Sequence, residues 1–344
     1  MKFLARQWSP RLKLGLFLAI VCTICVWVYY HVTSRINRSD SFIYPNESEV
    51  FTDTCSDSMS ASDIDSYLDH VTPVIYFITP TYARREQVAE LTRLSQTLLH
   101  IKNLVWIIAE DSASCTDVVS TTLLRHRKNI PYAHLLSPMP ERYYHVRHKP
   151  KGVSSRNAAV NWIIENDFQL SRGVIYFGDD DNTYDLSLFE EIRWTEKLSM
   201  FPVGFSPGSA FGSPVVENNK VIGFSGQWLG RRFPVDMAGF AVSTDLLKKH
   251  RPKMPYLHGS EETLFLENMK ITNDDIEPLA NSCTEILVWH TKTMKEDVPT
   301  YKSWTRNGQN LDALLVDASR KGMLKESSSS EKEIKVCMKT EGCK

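Results

Sequence analysis

The stretch GVIYFGDDDNTYD (residues 173–185) joins a run of apolar residues to three consecutive aspartates. Residues 174–177 are all apolar, which is typical of a strand buried on both faces of a parallel sheet. Carboxylates crowded together at the end of such a strand are costly unless a cation offsets their charge. We therefore expect a cation beside Asp179, Asp180 and Asp181.

Other apolar runs alternate with segments of helical pattern before and around this strand. The sequence predicts strands over 74–80, 104–111, 133–138 and 174–181, and helices over 84–100, 116–127 and 154–167. A spacing of roughly 30 residues is typical of βαβ units. The predicted fold is therefore α/β and Rossmann-like, with a mainly parallel central sheet.

In a sheet of this kind, ligands bind beyond the carboxyl ends of the strands. No glycine occurs in TPTYARREQ after the first strand, which argues against a dinucleotide fingerprint and a phosphate-binding P-loop. The aspartates instead suit Mg²⁺ or Mn²⁺ shared with substrate phosphates. Arg156, in the first turn of the predicted helix over 154–167, adds a cation for the same anion.

Two chemistries fit three aspartates after a buried strand. In nucleotide-sugar transfer, a D-x-D motif holds a metal on the pyrophosphate of the donor. In phosphatases of the haloacid dehalogenase type, hhhhDxDxT supplies a nucleophile, here Asp179, but that motif opens its domain, whereas three βα units precede it in this chain. Capping of a helix that begins near Leu186 would explain one carboxylate and not three. Nucleotide-sugar transfer is favoured.

The N-terminal region has the pattern of a signal anchor. Four basic residues precede 17 uncharged residues that end in bulky aromatics instead of the small residues of a cleavage site. A short span favours the Golgi or the endoplasmic reticulum over the plasma membrane, and we expect a single-pass type II Golgi membrane protein with a lumenal catalytic domain. The expected segments are a cytoplasmic tail (1–13), a transmembrane helix (14–30), a flexible stem (31–72), a catalytic domain (73–316) and a polar tail (317–344).

The stem and the cysteines are consistent with a lumenal location. Asn37 and Asn46 each begin an N-x-S glycosylation acceptor. Five of the seven cysteines lie outside the predicted span, an odd number, so we take Cys55 in the stem as the candidate for a bond between chains. The net charge of −1 gives no indication of nucleic-acid binding.

Seven segments of the chain also occur, in the same order, in a known family. They are ITPTYARREQ, WIIAEDS, KGVSSRNAAVNWI, GVIYFGDDDNTYDLSLFEEIR, PVDMAGFAV, GSEETLF and ILVWHTKT. From about residue 73 to about residue 293, the chain resembles the animal β-1,3-glucuronyltransferases. The resemblance implies a GT-A fold, Mn²⁺ as cofactor, a homodimer, and inverting transfer of glucuronate from UDP-glucuronate to the 3-hydroxyl of a terminal galactose. It places that reaction in the synthesis of the glycosaminoglycan linker or a related glycan.

The resemblance also implies a role for individual residues. Those around the donor are Pro80, Tyr82 and Asp111 for the uridine, Asp179 and Asp180 on the nucleotide side, Asp181 for the metal, and Arg156, His290 and Lys292 for the pyrophosphate and glucuronate. Those around the acceptor are Glu262 as general base, with Trp228, Arg231 and Asp236 as acceptor contacts.

Some positions depart from the pattern of the family. Lys151 and Lys292 stand where arginine is usual, and Gly212 stands where a glutamate often contacts the acceptor. Two other functions therefore stay open: use of another donor such as UDP-xylose, and a non-catalytic sugar-binding role. The residues alone do not distinguish Glu261 from Glu262 as the base, since glutamates in the first turn of a helix are common.

Overall fold

The structure is a computed structural model, and it describes residues 23, 43–84, 86–166, 172–226, 230–291, 300–301, 310–320, 325–326 and 336–338. The chain divides into two compact units, Met1–Asn46 and Glu47–Lys344. A search of the described residues finds no helix with the length and hydropathy to cross a membrane. Apart from Thr23, the predicted anchor over 14–30 lies outside them.

The second unit contains all the strands that the structure describes. In chain order these are β1 (Asp53–Thr54), β2 (Val74–Thr81), β3 (Leu104–Glu110), β4 (Tyr132–Leu136), β5 (Gly173–Phe177), β6 (Thr183–Tyr184), β7 (Leu198–Met200), β8 (Val203–Gly204), β9 (Phe211–Glu217), β10 (Lys220–Ser225), β11 (Phe240–Ser243), β12 (Ile276–Pro278), β13 (Val288–Trp289), β14 (Thr300–Tyr301), β15 (Lys325–Glu326) and β16 (Val336–Met338).

Eight of these strands form the central sheet, in the order β1-β4-β3-β2-β5-β11-β7-β12. The four strands predicted from the sequence, β2 to β5, are confirmed, and they pair in parallel. The sheet as a whole is mixed: four of its seven strand pairs are parallel, whereas β11 runs antiparallel to both β5 and β7 and β1 runs antiparallel to β4. Short strands of this kind give too little periodicity to be recognised in the sequence.

Helices cover the central sheet. They are α1 (Ala61–Asp65), α2 (Gln87–Leu98), α3 (Asp117–His126), α4 (Val153–Glu165), α5 (Leu186–Ile192), α6 (Thr244–His250), α7 (Glu261–Asn268) and α8 (Leu311–Arg320). Helices α2, α3 and α4 confirm the three predicted helices. A further single turn, Leu279–Cys283, has left-handed backbone angles at Ala280, Asn281 and Ser282.

The core explains why the predicted strands are nearly continuous apolar runs. Every residue of β3 is buried, and in β2 only Pro80 is partly exposed. Trp106, Phe77 and Tyr176 are among the largest side chains that are fully buried. The carboxyl ends of β2, β3 and β5 consequently lie at one edge of a rigid layer.

The predicted flexible stem over 31–72 is wrong in its second half. Met59, Ile64 and Leu68 lie in the main hydrophobic core, and β1 pairs with β4 as the edge strand of the central sheet. Cys55 forms a disulfide with Cys115 of the same chain, so the predicted bond between chains at Cys55 is also wrong. Because the segment is mostly polar, its few apolar residues gave no pattern from which a folded segment could be predicted.

The predicted boundary at residue 316 also falls too early. Helix α8 continues to Arg320 and buries Leu311, Leu314 and Leu315 in a second hydrophobic cluster with Phe211. Farther along, β16 pairs antiparallel with β10. A six-stranded sheet of order β16-β10-β9-β8-β13-β6 thus includes part of the predicted polar tail.

Candidate active site

A cleft of about 570 Å³ opens at the carboxyl ends of the parallel strands. Eight of the residues predicted from the sequence line it: Pro80, Tyr82, Asp111, Arg156, Asp179, Asp180, Asp181 and His290. The aspartates and His290 come together because β6, which follows the aspartates, pairs antiparallel with β13, which immediately precedes His290. The fold therefore brings distant segments of the sequence into one site.

Two of the three aspartates are paired with arginines. The Arg156 guanidinium donates to Asp179, and the Arg84 guanidinium donates to Asp180. The other oxygen of Asp180 accepts a hydrogen bond of 2.8 Å from Oγ1 of Thr81. Both carboxylates are therefore held in fixed positions by neighbouring elements.

The side chain of Asp181 has a different environment. Within the described residues its carboxylate has no hydrogen-bond donor, whereas its backbone carbonyl accepts from Arg93 at 3.0 Å and from Thr291 at 2.5 Å. Burial, and then the charges of Asp179 and Asp180, raise the pKa of Asp181 to about 6. An unpaired hard oxygen ligand beside further negative charge fits Mg²⁺ or Mn²⁺.

A buried nitrogen in the cleft, Nε of Arg156, lacks a hydrogen-bond acceptor among the described residues. Gly152 allows the arginine to lie close to the backbone, since a Cβ at this position would be 2.5 Å from Nη1 of Arg156. The φ of Gly152 is +72°, which glycine adopts without strain. An anionic ligand in the cleft would complete the hydrogen bonding of Arg156.

His290 carries a positive charge at neutral pH. Its Nδ1 lies 3.5 Å from Oδ2 of Asp236, and that carboxylate raises the pKa of His290 to about 9 although burial opposes the shift. The other oxygen of Asp236 accepts from the backbone N–H of Ala238 at 3.0 Å. Asp236 therefore holds the His290 ring in place.

The two adjacent glutamates of α7 have different environments. Oε2 of Glu262 lies 3.5 Å from Nη1 of Arg231, whereas Oε1 of Glu261 lies 3.8 Å from Nδ1 of His258. Burial, and then the charge of Glu261, raise the pKa of Glu262 to about 7. A carboxyl group with this pKa suits a general base near neutral pH.

The Tyr82 ring is an exposed aromatic surface of the cleft. It is 41% exposed, and Cζ of Arg84 and Nζ of Lys151 lie 4.9 and 5.3 Å from its centroid. Oδ1 of Asp111 accepts a hydrogen bond of 2.8 Å from the N–H of Met139, and burial raises the pKa of Asp111. A planar ring could stack on Tyr82 with a polar edge toward Asp111.

The structure does not place three of the predicted residues, because Trp228, Lys292 and Asn37 lie outside the described residues. Asn46 is described, and it is exposed. Arg84 and Lys149 line the cleft, but they were not predicted as site residues from the sequence. Arg84 lies within the segment ITPTYARREQ. Its partner Asp180 is 96 residues away, and a separation of that size leaves no local signal.

A second cluster contains Cys55, Asp57 and His134. The sulfur of Cys55 is bonded to Cys115, so it is not a thiolate ligand. The ring of His134 lies between carboxylates, with Nδ1 2.9 Å from Asp57 and Nε2 3.3 Å from Glu110. These contacts indicate a structural ion cluster rather than a metal site.

An α/β fold with carboxylates and cations at the carboxyl ends of its parallel strands defines a protein that binds its ligand in the crevice at that edge. The sequence model of the family described as "Glycosyltransferase family 43" matches residues 94–294 of the chain. The chain belongs to glycosyltransferase family 43.

Relatives in animals share much of the sequence. The chain is 46% identical over 266 residues to galactosylgalactosylxylosylprotein 3-beta-glucuronosyltransferase S of Drosophila melanogaster, which covers 76% of this chain and 63% of that protein. It is 43% identical over 233 residues to galactosylgalactosylxylosylprotein 3-beta-glucuronosyltransferase 2 of Homo sapiens, with 65% of this chain and 70% of that protein covered. The chain therefore spans somewhat less than two thirds of the Drosophila protein.

Solved structures show a weaker likeness. S. aureus TarS 1-349 in complex with UDP is 16% identical, with a TM-score of 0.45 over 64% of this chain and 60% of that one. The mannosyltransferase PcManGT from Pyrobaculum calidifontis, in complex with GDP-Man and Mn2+, is 12% identical, with a TM-score of 0.41 over 74% and 66% of the two chains.

Proposed function

We propose that the protein transfers glucuronate from UDP-glucuronate to the 3-hydroxyl of a terminal galactose, with inversion at the anomeric carbon. The observation that carries the proposal is the combination of Asp181, whose carboxylate has no hydrogen-bond donor within the described part of the chain, and a partly buried Glu262 with a pKa of about 7. Membership of family 43 and the activities for which the relatives are named support the choice of sugar and linkage.

The donor would lie in the cleft described above. Tyr82 would stack on the uracil and Asp111 would accept from it, while Arg156 and His290 would donate to the pyrophosphate and the glucuronate carboxylate. Lys292, which lies outside the described residues, would add a further cation. Asp181 would hold Mn²⁺, and this ion, when bound, would stabilise negative charge on the departing UDP.

Glu262 would act as the single general base. Its carboxylate would take the proton of the acceptor 3-hydroxyl as that oxygen forms a bond to C1 of the glucuronate and the bond from C1 to UDP breaks. Arg231, 3.5 Å away, keeps the carboxylate in position and favours its ionised form. Trp228, Arg231 and Asp236 would contact the galactose. No acid is needed for UDP, in contrast to the paired carboxylates of glycosidases.

We also propose the cellular setting and domain type implied by the resemblance. The catalytic unit would be a GT-A domain, acting as a homodimer in the Golgi lumen. The basic and apolar residues over 1–30 support a single-pass type II anchor. Asn46 would carry a glycan, and Asn37, closer to the membrane, would be the poorer acceptor.

The product of the reaction tests the proposal. The protein is incubated with UDP-glucuronate, Mn²⁺ and either Gal-β-1,3-Gal or N-acetyllactosamine, and the product is examined by NMR. We expect β-linked glucuronate at the 3-hydroxyl of the terminal galactose. An α-linked product, or transfer of xylose without transfer of glucuronate, would contradict the proposal, and comparison of the two acceptors would identify the class of glycan.

A further inference from the structure

Arg84 links the segment around β2 and α2 to the aspartate turn, 96 residues farther along the chain. It follows β2, and its side chain is only 15% exposed. The guanidinium donates from Nη2 to Asp180 and to Glu90, and Nε donates to Oε2 of Glu90 at 3.1 Å. Its Cζ also lies 4.9 Å from the centroid of the Tyr82 ring. One side chain thus contacts the aspartate turn, helix α2 and the nucleotide side of the cleft.

Asp180 is held from a second direction by the same region. Its Oδ2 accepts from Oγ1 of Thr81 at 2.8 Å, and that hydroxyl oxygen accepts from Nε2 of Gln87 at 3.0 Å. Both oxygens of Asp180 are therefore engaged by residues 81–87. The position of this carboxylate depends on the loop between β2 and α2.

Two guanidiniums bond to three of the four carboxylates in this region. Arg84 bonds to Asp180 and Glu90, and Arg156 bonds to Asp179. Glu90 is 3% exposed, so its charge needs a cation close by. The fourth carboxylate is that of Asp181, to which neither of these guanidiniums bonds.

We propose that Arg84 is a positioning residue for the UDP and metal site: it fixes Asp180 and the Tyr82 ring relative to each other and leaves Asp181 as the carboxylate available to the metal. The inference rests on the proposed function, because it assumes that UDP and Mn²⁺ bind in this cleft. Arg84 acts through Asp180 and Tyr82, and it takes no part in proton transfer or bond formation.

Calorimetry on the full chain tests the inference without an activity assay. UDP is titrated in the presence and in the absence of Mn²⁺, and Mn²⁺ is titrated alone. The variants are Arg84→Gln, Arg84→Lys, Glu90→Gln and the double variant Arg84→Gln with Glu90→Gln. Arg125→Gln, on the exposed surface of α3, is the matched control. Thermal unfolding of each variant is followed in parallel.

We expect Arg84→Gln to weaken UDP binding in the presence of Mn²⁺ by about 10- to 150-fold, the scale of a lost charge-assisted hydrogen bond. Mn²⁺ alone should bind no more weakly than to the wild type, since the variant loses a positive charge. Arg84→Lys should recover part of the UDP affinity, because it keeps the charge and loses the planar fork. The control should match the wild type.

The double variant separates positioning from a merely structural role. Replacing Glu90 as well removes one of the two buried carboxylates that bond to Arg84, so it should recover part of the unfolding temperature, but it should not restore UDP affinity. If the double variant recovers both the unfolding temperature and the UDP affinity, or if Arg84→Gln binds UDP within about twofold of the wild type, the inference about Arg84 is wrong and the proposed function is unaffected. Absence of UDP binding by the wild-type protein would contradict the proposed function as well. If Arg84→Gln does not fold, Arg84→Lys and the double variant give the same comparison.

Discussion

Nη1 of Arg231 lies 3.5 Å from Oε2 of Glu262, in a partly buried ion pair. Burial and the nearby charges of Glu261 and Asp236 raise the pKa of Glu262 to about 7, and Arg231 opposes them. A general base is most effective when its pKa lies near the working pH.

Replacement of Glu262 by glutamine removes the base and keeps the shape of the side chain. We expect Glu262→Gln to lower kcat by about 10²-fold or more, the scale of general-base catalysis, with UDP affinity unchanged. The adjacent Glu261→Gln is the matched control and should have a smaller effect on kcat. A larger loss in Glu261→Gln would mean that the assignment of the base is wrong.

The pH dependence of the reaction should report the ionisation of Glu262. The base has to be deprotonated, so kcat/KM should increase about tenfold per pH unit below pH 7 and become level above it. A neighbouring cation favours the ionised form, so Arg231→Gln should raise the pKa and move the rising limb to higher pH. Rate profiles of both proteins between pH 5 and 9 check this, and an unchanged midpoint would argue against the ion pair.

Asp181 should be essential for metal-dependent binding. We expect Asp181→Ala to abolish the increase in UDP affinity that Mn²⁺ gives, while thermal unfolding remains close to that of the wild type. The residue is partly exposed and its carboxylate has no hydrogen-bond partner among the described residues, so its loss leaves no buried group unpaired. Calorimetric titration of UDP with and without Mn²⁺ measures the effect, and equal affinities in variant and wild type would disprove the role.

The disulfide between Cys55 and Cys115 should stabilise the unit. It closes a loop across 60 residues, so we expect Cys55→Ser to lower the free energy of unfolding by about 2–4 kcal/mol. The double variant Cys55→Ser with Cys115→Ser should be no less stable than the single variant, because the bond is already lost. Denaturant unfolding measures both, and an additive loss would show that the two cysteines are not paired.

The sequence predicted the strands that bear the site because their apolar runs are long and their ends are polar. Tyr82, Asp111 and Asp181 could be placed at one edge from this pattern alone, since carboxyl ends of parallel strands share an edge. Arg231 and Glu262 could not be brought together in this way, because the loop geometry that joins them has no periodic signal. Arg231 and Glu262 were predicted as site residues from the resemblance to a family.

The features that the sequence did not predict are mainly contacts between residues that lie far apart in the chain. Cysteine spacing does not determine connectivity, so Cys55 was assigned to the wrong kind of bond. Met59, Ile64 and Leu68 are too few to mark residues 53–68 as folded against their polar background, although the three side chains reach the core. The contact of Arg84 with Asp180 depends on tertiary structure in the same way.

The choice of donor sugar tests the central claim most directly. Glucuronate differs from glucose by a carboxylate, and Arg156, His290 and Lys292 are the cations proposed to bind it. One charge-assisted hydrogen bond corresponds to about 10- to 150-fold in kcat/KM. We therefore expect initial rates at saturating Mn²⁺ to favour UDP-glucuronate over UDP-glucose by at least about tenfold, and Lys292→Arg to widen the ratio because arginine supplies the planar fork. Equal rates with the two donors, or faster transfer from UDP-xylose, would contradict the assignment as a glucuronyltransferase.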